Sequence, residues 1–214
     1  MRGGAPRRAG LVLALALGGC GVLPRQPVPT ALEGEWAAQR DRFTRSAKAY
    51  DRLDDQVFVT ATYQAPSVRQ ARAERLAEWK AMTAEERERL LASERAEGEQ
   101  AEEFLLAFYT NDRAANDLAS TQSVWRLALA VEAGELLPVR RPEIVRADAT
   151  VTGLYPYVGQ FDIVYRVRFP RWKGERPLHE IPFTLVVAGA LAKVELRFNQ
   201  PAEGGARPPP GDVR

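Results

Sequence analysis

The alternation of apolar and polar positions divides the chain into helix-period and strand-period stretches. Over residues 34–53 apolar side chains recur at Trp36, Phe43, Ala47, Tyr50 and Leu53, with charged residues between them. The spacing from Trp36 to Phe43 to Tyr50 predicts one helix with an aromatic stripe. Such a stripe would pack on a sheet, lie on a membrane surface or grip a partner helix. Residues 56–63 are β-branched and aromatic and read as a strand. A polar stretch, 67–103, predicts two helices, the first with Leu76 and Trp79 on its buried face. Thr83 with Glu86 three residues on is a capping-box pattern that starts the second. Glu85 and Arg89 add an i, i+4 pair there. So many charges point to an insertion on the flank of a sheet, with a solvated outer face.

Beyond residue 103 the pattern is that of strands. Residues 104–110 are a short apolar run closed by the turn signal Asn111-Asp112. In 124–131, Trp125, Leu127, Leu129 and Val131 alternate with Arg126 and its neighbours. Pro138 and Pro142 bracket an irregular or edge segment, because proline cannot serve a central ladder. Further strands are expected at 149–154, 161–169, 181–187 and 192–198. Arg166 and Arg168 alternate with Tyr165, Val167 and Phe169, apart from Val164. One wet and one buried face per strand suits antiparallel sheets. The expected fold is therefore α+β: an antiparallel β-sandwich with an N-terminal amphipathic helix and an inserted helical segment. It is loosely similar to immunoglobulin-like domains, a likeness that carries no function.

The two ends read differently. Arg2, Arg7 and Arg8 precede an apolar core, residues 11–17, which leads through small residues to Cys20. This is the build of a secretory leader, and its core is too short for a spanning helix of about 20 residues. Leu17-Gly18-Gly19-Cys20 resembles the lipobox of bacterial lipoproteins. The resemblance implies that residues 1–19 are a signal peptide and that Cys20 becomes the acylated, palmitate-bearing N-terminus. Gly21, where inner-membrane lipoproteins often carry Asp, implies the outer membrane, with the domain facing the periplasm. One acyl chain binds membranes marginally, whereas several hold permanently. Pro24, Pro27 and Pro29 make residues 20–33 a lipidated cysteine followed by a semi-rigid spacer. A single globular domain is expected over 34–199. The Pro/Gly-rich residues 200–214 read as a disordered tail.

Charge and composition narrow the chemistry. The chain has 30 Lys and Arg against 28 Asp and Glu. Removing the three leader arginines leaves 27 against 28, so no basic excess argues for nucleic acid. With the only cysteine lipidated, no disulfide, thiol nucleophile or thiolate metal site remains. His179 is the only histidine, and no Gly-x-Ser-x-Gly elbow or His-x-x-x-His pair accompanies it. No metal or cofactor is expected. Among carboxylates, Asp54-Asp55, Glu85-Glu86 and Glu102-Glu103 read as solvated helix ends rather than an acid/base pair.

Two aromatic turns remain. Arg171-Trp172-Lys173-Gly174-Glu175-Arg176 joins two strands as a hairpin tip, with an aromatic among cations. Arg171, Trp172, Lys173 and Arg176 would suit an anionic partner: a phosphate-bearing glycolipid, lipid headgroups or an acidic protein patch. Alternatively Trp172 folds back onto the end of the sandwich. Leu154-Tyr155-Pro156-Tyr157 suggests a packed corner more than a sugar platform. The function expected is that of a non-enzymatic, lipid-anchored envelope protein that binds or supports another envelope component. The alternatives are a periplasmic hydrolase of cell-wall glycan or lipid and a structural subunit of an envelope assembly.

Overall fold

A computed structural model describes residues 31–51 and 54–199. The leader, Cys20, the proline-rich spacer and the C-terminal tail lie outside the described residues. The protein is mixed α+β, with two antiparallel sheets and helices. Helix α1 (Ala31–Arg42) leads into β1 (Thr44–Asp51), which pairs with β2 (Asp54–Tyr63). Helices α2 (Pro66–Trp79) and α3 (Ala84–Gln100) are inserted before β3 (Ala101–Thr110). Then come β4 (Trp125–Val131), β5 (Gly134–Leu136), β6 (Glu143–Val145) and helix α4 (Ala149–Leu154). Strands β7 (Ile163–Pro170), β8 (Phe183–Gly189) and β9 (Lys193–Phe198) complete the domain. One sheet runs β1-β2-β3-β7-β6 and the other β5-β4-β8-β9.

The core lies between the sheets. Register places Tyr63, Phe104 and Val167 side by side on the inner face of the larger sheet. Opposite them Phe183 and Phe198 stack at 4.8 Å, and Tyr63 meets Phe183 edge-on at 5.3 Å. At the other end of the core Phe108 meets Trp125 edge-on at 5.3 Å.

The larger sheet is covered on its outer face too. Leu105, Ala107 and Val164 point outward and are buried. This explains the break in alternation at Val164: the outer face of β7 is covered there, before it turns to Arg166 and Arg168. Helices α1 and α2 and the turn after α4 form the cover. Trp36 is buried, donates its indole N–H to Leu154 O at 3.1 Å and meets Tyr155 edge-on. Tyr157 bonds Thr62 on the sheet at 2.7 Å, so the aromatic turn is a packed corner.

Four expected elements come out differently. The helix over 34–53 stops at Arg42, where the Thr44 hydroxyl donates to Arg40 O at 2.7 Å. The following Thr44 and Ser46 hydroxyls pair with Thr62 and Thr60 across the ladder, so Ala47 and Tyr50 belong to a strand. Residues 149–154 form α4 despite three β-branched side chains, because the Asp148 carboxylate caps the N–H groups of Thr150 and Val151 at 2.9 Å each. Phe161 precedes β7 and is exposed. Trp79 is 42% exposed, and the buried side of α2 consists instead of Val68, Arg69, Ala71, Ala73 and Ala77. Small side chains there suit close packing, and α2 lies chiefly against α3 and α1. The capping box Thr83–Glu86 is present in both directions.

Candidate functional site

The densest chemistry lies where the α2–α3 hairpin meets the sheet and the loop after β7. Its centre is Glu102-Glu103 at the start of β3. Both are buried, at 1% and 4% exposure, not solvated helix ends. Asp54-Asp55 likewise opens a strand rather than ending a helix. Successive residues of a strand face opposite ways, so the two carboxylates enter different environments.

Glu102 points to the inner face. It accepts from the Tyr63 hydroxyl at 2.6 Å, the Arg171 guanidinium at 2.7 Å and the Trp172 backbone N–H at 3.1 Å. Burial, and then the charge and hydrogen bond of Glu102, push the Tyr63 phenol far above its ordinary range. Glu103 points outward to three arginines. Arg168, its cross-strand neighbour, donates at 2.7 Å, with Arg69 at 3.5 Å and Arg166 at 3.7 Å. Burial alone would raise the Glu103 carboxyl. The Arg69 charge, the Arg168 hydrogen bond and the charges of Arg166 and Arg168 outweigh it and hold the carboxyl below 4.5.

The network continues through the helices. Arg69 also reaches Glu94 at 3.1 Å, and Arg72 bonds Glu94 at 2.5 Å and Gln64 Oε1 at 2.9 Å. Gly98 makes room for it: a Cβ there would lie 3.2 Å from Arg69 Cδ. A cavity of about 560 Å³ opens beside this seam, with Arg95, Arg171, His179 and Leu91 on its walls. The Nδ1 atom of His179 is buried without a hydrogen-bond partner. Among the described residues, no group of three His, Cys, Asp or Glu side chains could hold a metal ion. No helix among them is long and apolar enough to cross a membrane.

The loop carrying Arg171, Trp172, Lys173 and Arg176 is not a hairpin tip. It crosses from β7 in one sheet to β8 in the other. Arg171 and the Trp172 N–H clamp Glu102, while the Trp172 indole donates to Arg176 O at 2.9 Å. Trp172 curls over Gly174, where any Cβ would fall inside its ring, and packs against the core. Arg176 donates to Glu180 O at 3.0 Å. Lys173 and Arg176 are exposed at the loop's outer side. The structure thus unites Arg171 with Glu102, Tyr63 and His179, a grouping the sequence pattern did not reveal. Its one visible signal was a pair of acids set directly before the apolar run 104–108, in strand phase with it.

No family model matches the chain, and neither does any curated protein or solved structure.

Proposed function

We propose that this is a lipid-anchored, non-catalytic protein of the bacterial cell envelope, held through Cys20 in the outer membrane with its domain in the periplasm. There it binds or supports another envelope component. The observation that carries the reading is the quartet Leu17-Gly18-Gly19-Cys20, followed by a proline-rich stretch and then a folded domain. A tether confines the domain to a thin layer and raises its effective concentration toward partners in the same envelope.

The buried carboxylates support a non-catalytic role. Glu102 and Glu103 are spent on arginines and a tyrosine, and Glu103 is held ionised at neutral pH. Glycan hydrolysis needs the reverse, a carboxyl kept protonated to act as acid. Lys173 and Arg176, on a loop braced by Glu102, provide the cationic contact for an anionic partner. Membrane fractionation of the full chain and of Cys20→Ser, expressed in a Gram-negative host, tests the proposal. The wild type should sediment with outer membranes and the variant should be released as soluble periplasmic protein. Identical fractionation of the two overturns the reading.

A further inference from the structure

The two sheets close on one side and gape on the other. At the closed side β1 lies beside β9, with Arg45 donating to Arg197 O at 3.0 Å. At the open side the last strands are β6 and β5, three residues each, and among the described residues no strand pairs with the outer edge of either. We propose that this open side is the docking groove for an extended protein segment in which acidic and apolar residues alternate. The inference rests on the reading of the protein as an envelope-binding module, and it adds a second surface, distinct from the Arg171–Arg176 loop.

The groove, about 360 Å³, has Leu118, Trp125 and Leu127 at its floor and Leu137 at its rim. Arg126, Arg140 and Arg141 also line it, and no carboxylate does. Beside it, Leu137, Val139 and Ile144 are 52%, 55% and 65% exposed. Ile144 shares a face with Tyr165, so it belongs to the inner side of the sheet, where a longer β5 would have covered it. Apolar surface of this kind beside a polar rim marks an interaction site.

The charges select the occupant. Arg126 and Arg140 reach outward to Glu135 at 2.7 Å and Glu143 at 2.9 Å, in exposed pairs that exchange partners at little cost. Arg141 is exposed and forms no ion pair among the described residues. A strand laid along Trp125–Ala128, the part of β4 that β5 does not pair, would point alternate side chains at Trp125 and Leu127 and the others at Arg126. Pro138 and Pro142 flank the edge and discourage pairing of one copy with another. A strand edge that can pair with backbone favours a chain segment over a lipid surface.

The test uses the purified full chain and two fluorescein-labelled octapeptides, one alternating Glu and Val, the other Lys and Val. Fluorescence anisotropy should show saturable binding of the acidic peptide only. Binding should weaken about tenfold with Arg141→Glu and with Leu137→Ser, both at exposed positions. Equal binding of the two peptides, or unchanged binding by Arg141→Glu with an unchanged circular dichroism spectrum, overturns the proposal. So does binding to phosphatidylglycerol vesicles that Arg141→Glu abolishes while neither peptide binds. Photocrosslinking from Lys173 to an envelope protein, with no peptide binding at the groove, would retain the broader function and remove this surface.

Discussion

Glu102 and Glu103 are adjacent in the chain yet neutralised on opposite sides of one strand. Arg171 closes on the first at 2.7 Å from the inter-sheet loop, and Arg168 on the second at 2.7 Å from the neighbouring strand. Together they fasten three layers: the aromatic core, the larger sheet and the helical hairpin. Buried ion pairs add little net stability over apolar packing, but losing one partner strands the other. The seam therefore fixes where the hairpin sits more than it stabilises the fold.

Glu103→Gln should be strongly destabilising. It leaves the guanidinium of Arg69, whose side chain is 4% exposed, without its anion on the sheet. A loss of about 3–5 kcal/mol is expected, read from urea denaturation. A loss below 1 kcal/mol would show that Glu94 and Glu97 suffice for Arg69.

Acid should act through the same residue. The folded Glu103 carboxyl lies below 4.5, so the unfolded chain binds its proton more readily. Its contribution to stability is present above pH 4.5 and is lost as pH falls from there through the depressed folded value. The wild type should lose stability over that range, and Glu103→Gln should lose less. Parallel acid limbs in the two proteins would contradict this.

Tyr63→Phe removes the hydroxyl that donates to Glu102 at 2.6 Å. About 1.5–3 kcal/mol should be lost, as for a hydrogen bond to a charged acceptor. A double-mutant cycle with Glu102→Gln should show most of that loss as coupling between the two.

How much of this was legible follows from how local each signal is. The Thr83–Glu86 capping box spans four residues and could be read directly. The alternation of β4 and β9 was visible because each has one buried face. Helix α4 was not visible: its Thr150, Val151 and Thr152 favour a strand, and the single carboxylate of Asp148 decides otherwise. The 34–53 stretch misled because seven-residue spacing of aromatics fits a helix, while the Thr44–Thr62 and Ser46–Thr60 pairs that hold β1 join it to a separate strand. The Glu102 site is the extreme case. Its arginine lies 69 residues further on, and nothing near Glu102 announces it.

Asp148→Ala tests the local decision at α4. About 1 kcal/mol should be lost, and the Trp36 indole, bonded to Leu154 O at the end of that helix, should become more exposed. Acrylamide quenching of tryptophan fluorescence reports it. Unchanged quenching would mean that the packed corner holds without its cap.

The proposed placement of the protein in the envelope turns on one atom, the Cys20 sulfur. Mass spectrometry of the N-terminal peptide from native membranes should find a chain that begins at residue 20 and carries a diacylglyceryl thioether and an N-acyl group. A peptide with a free Cys20 thiol, or one still joined to residues 1–19, would contradict it.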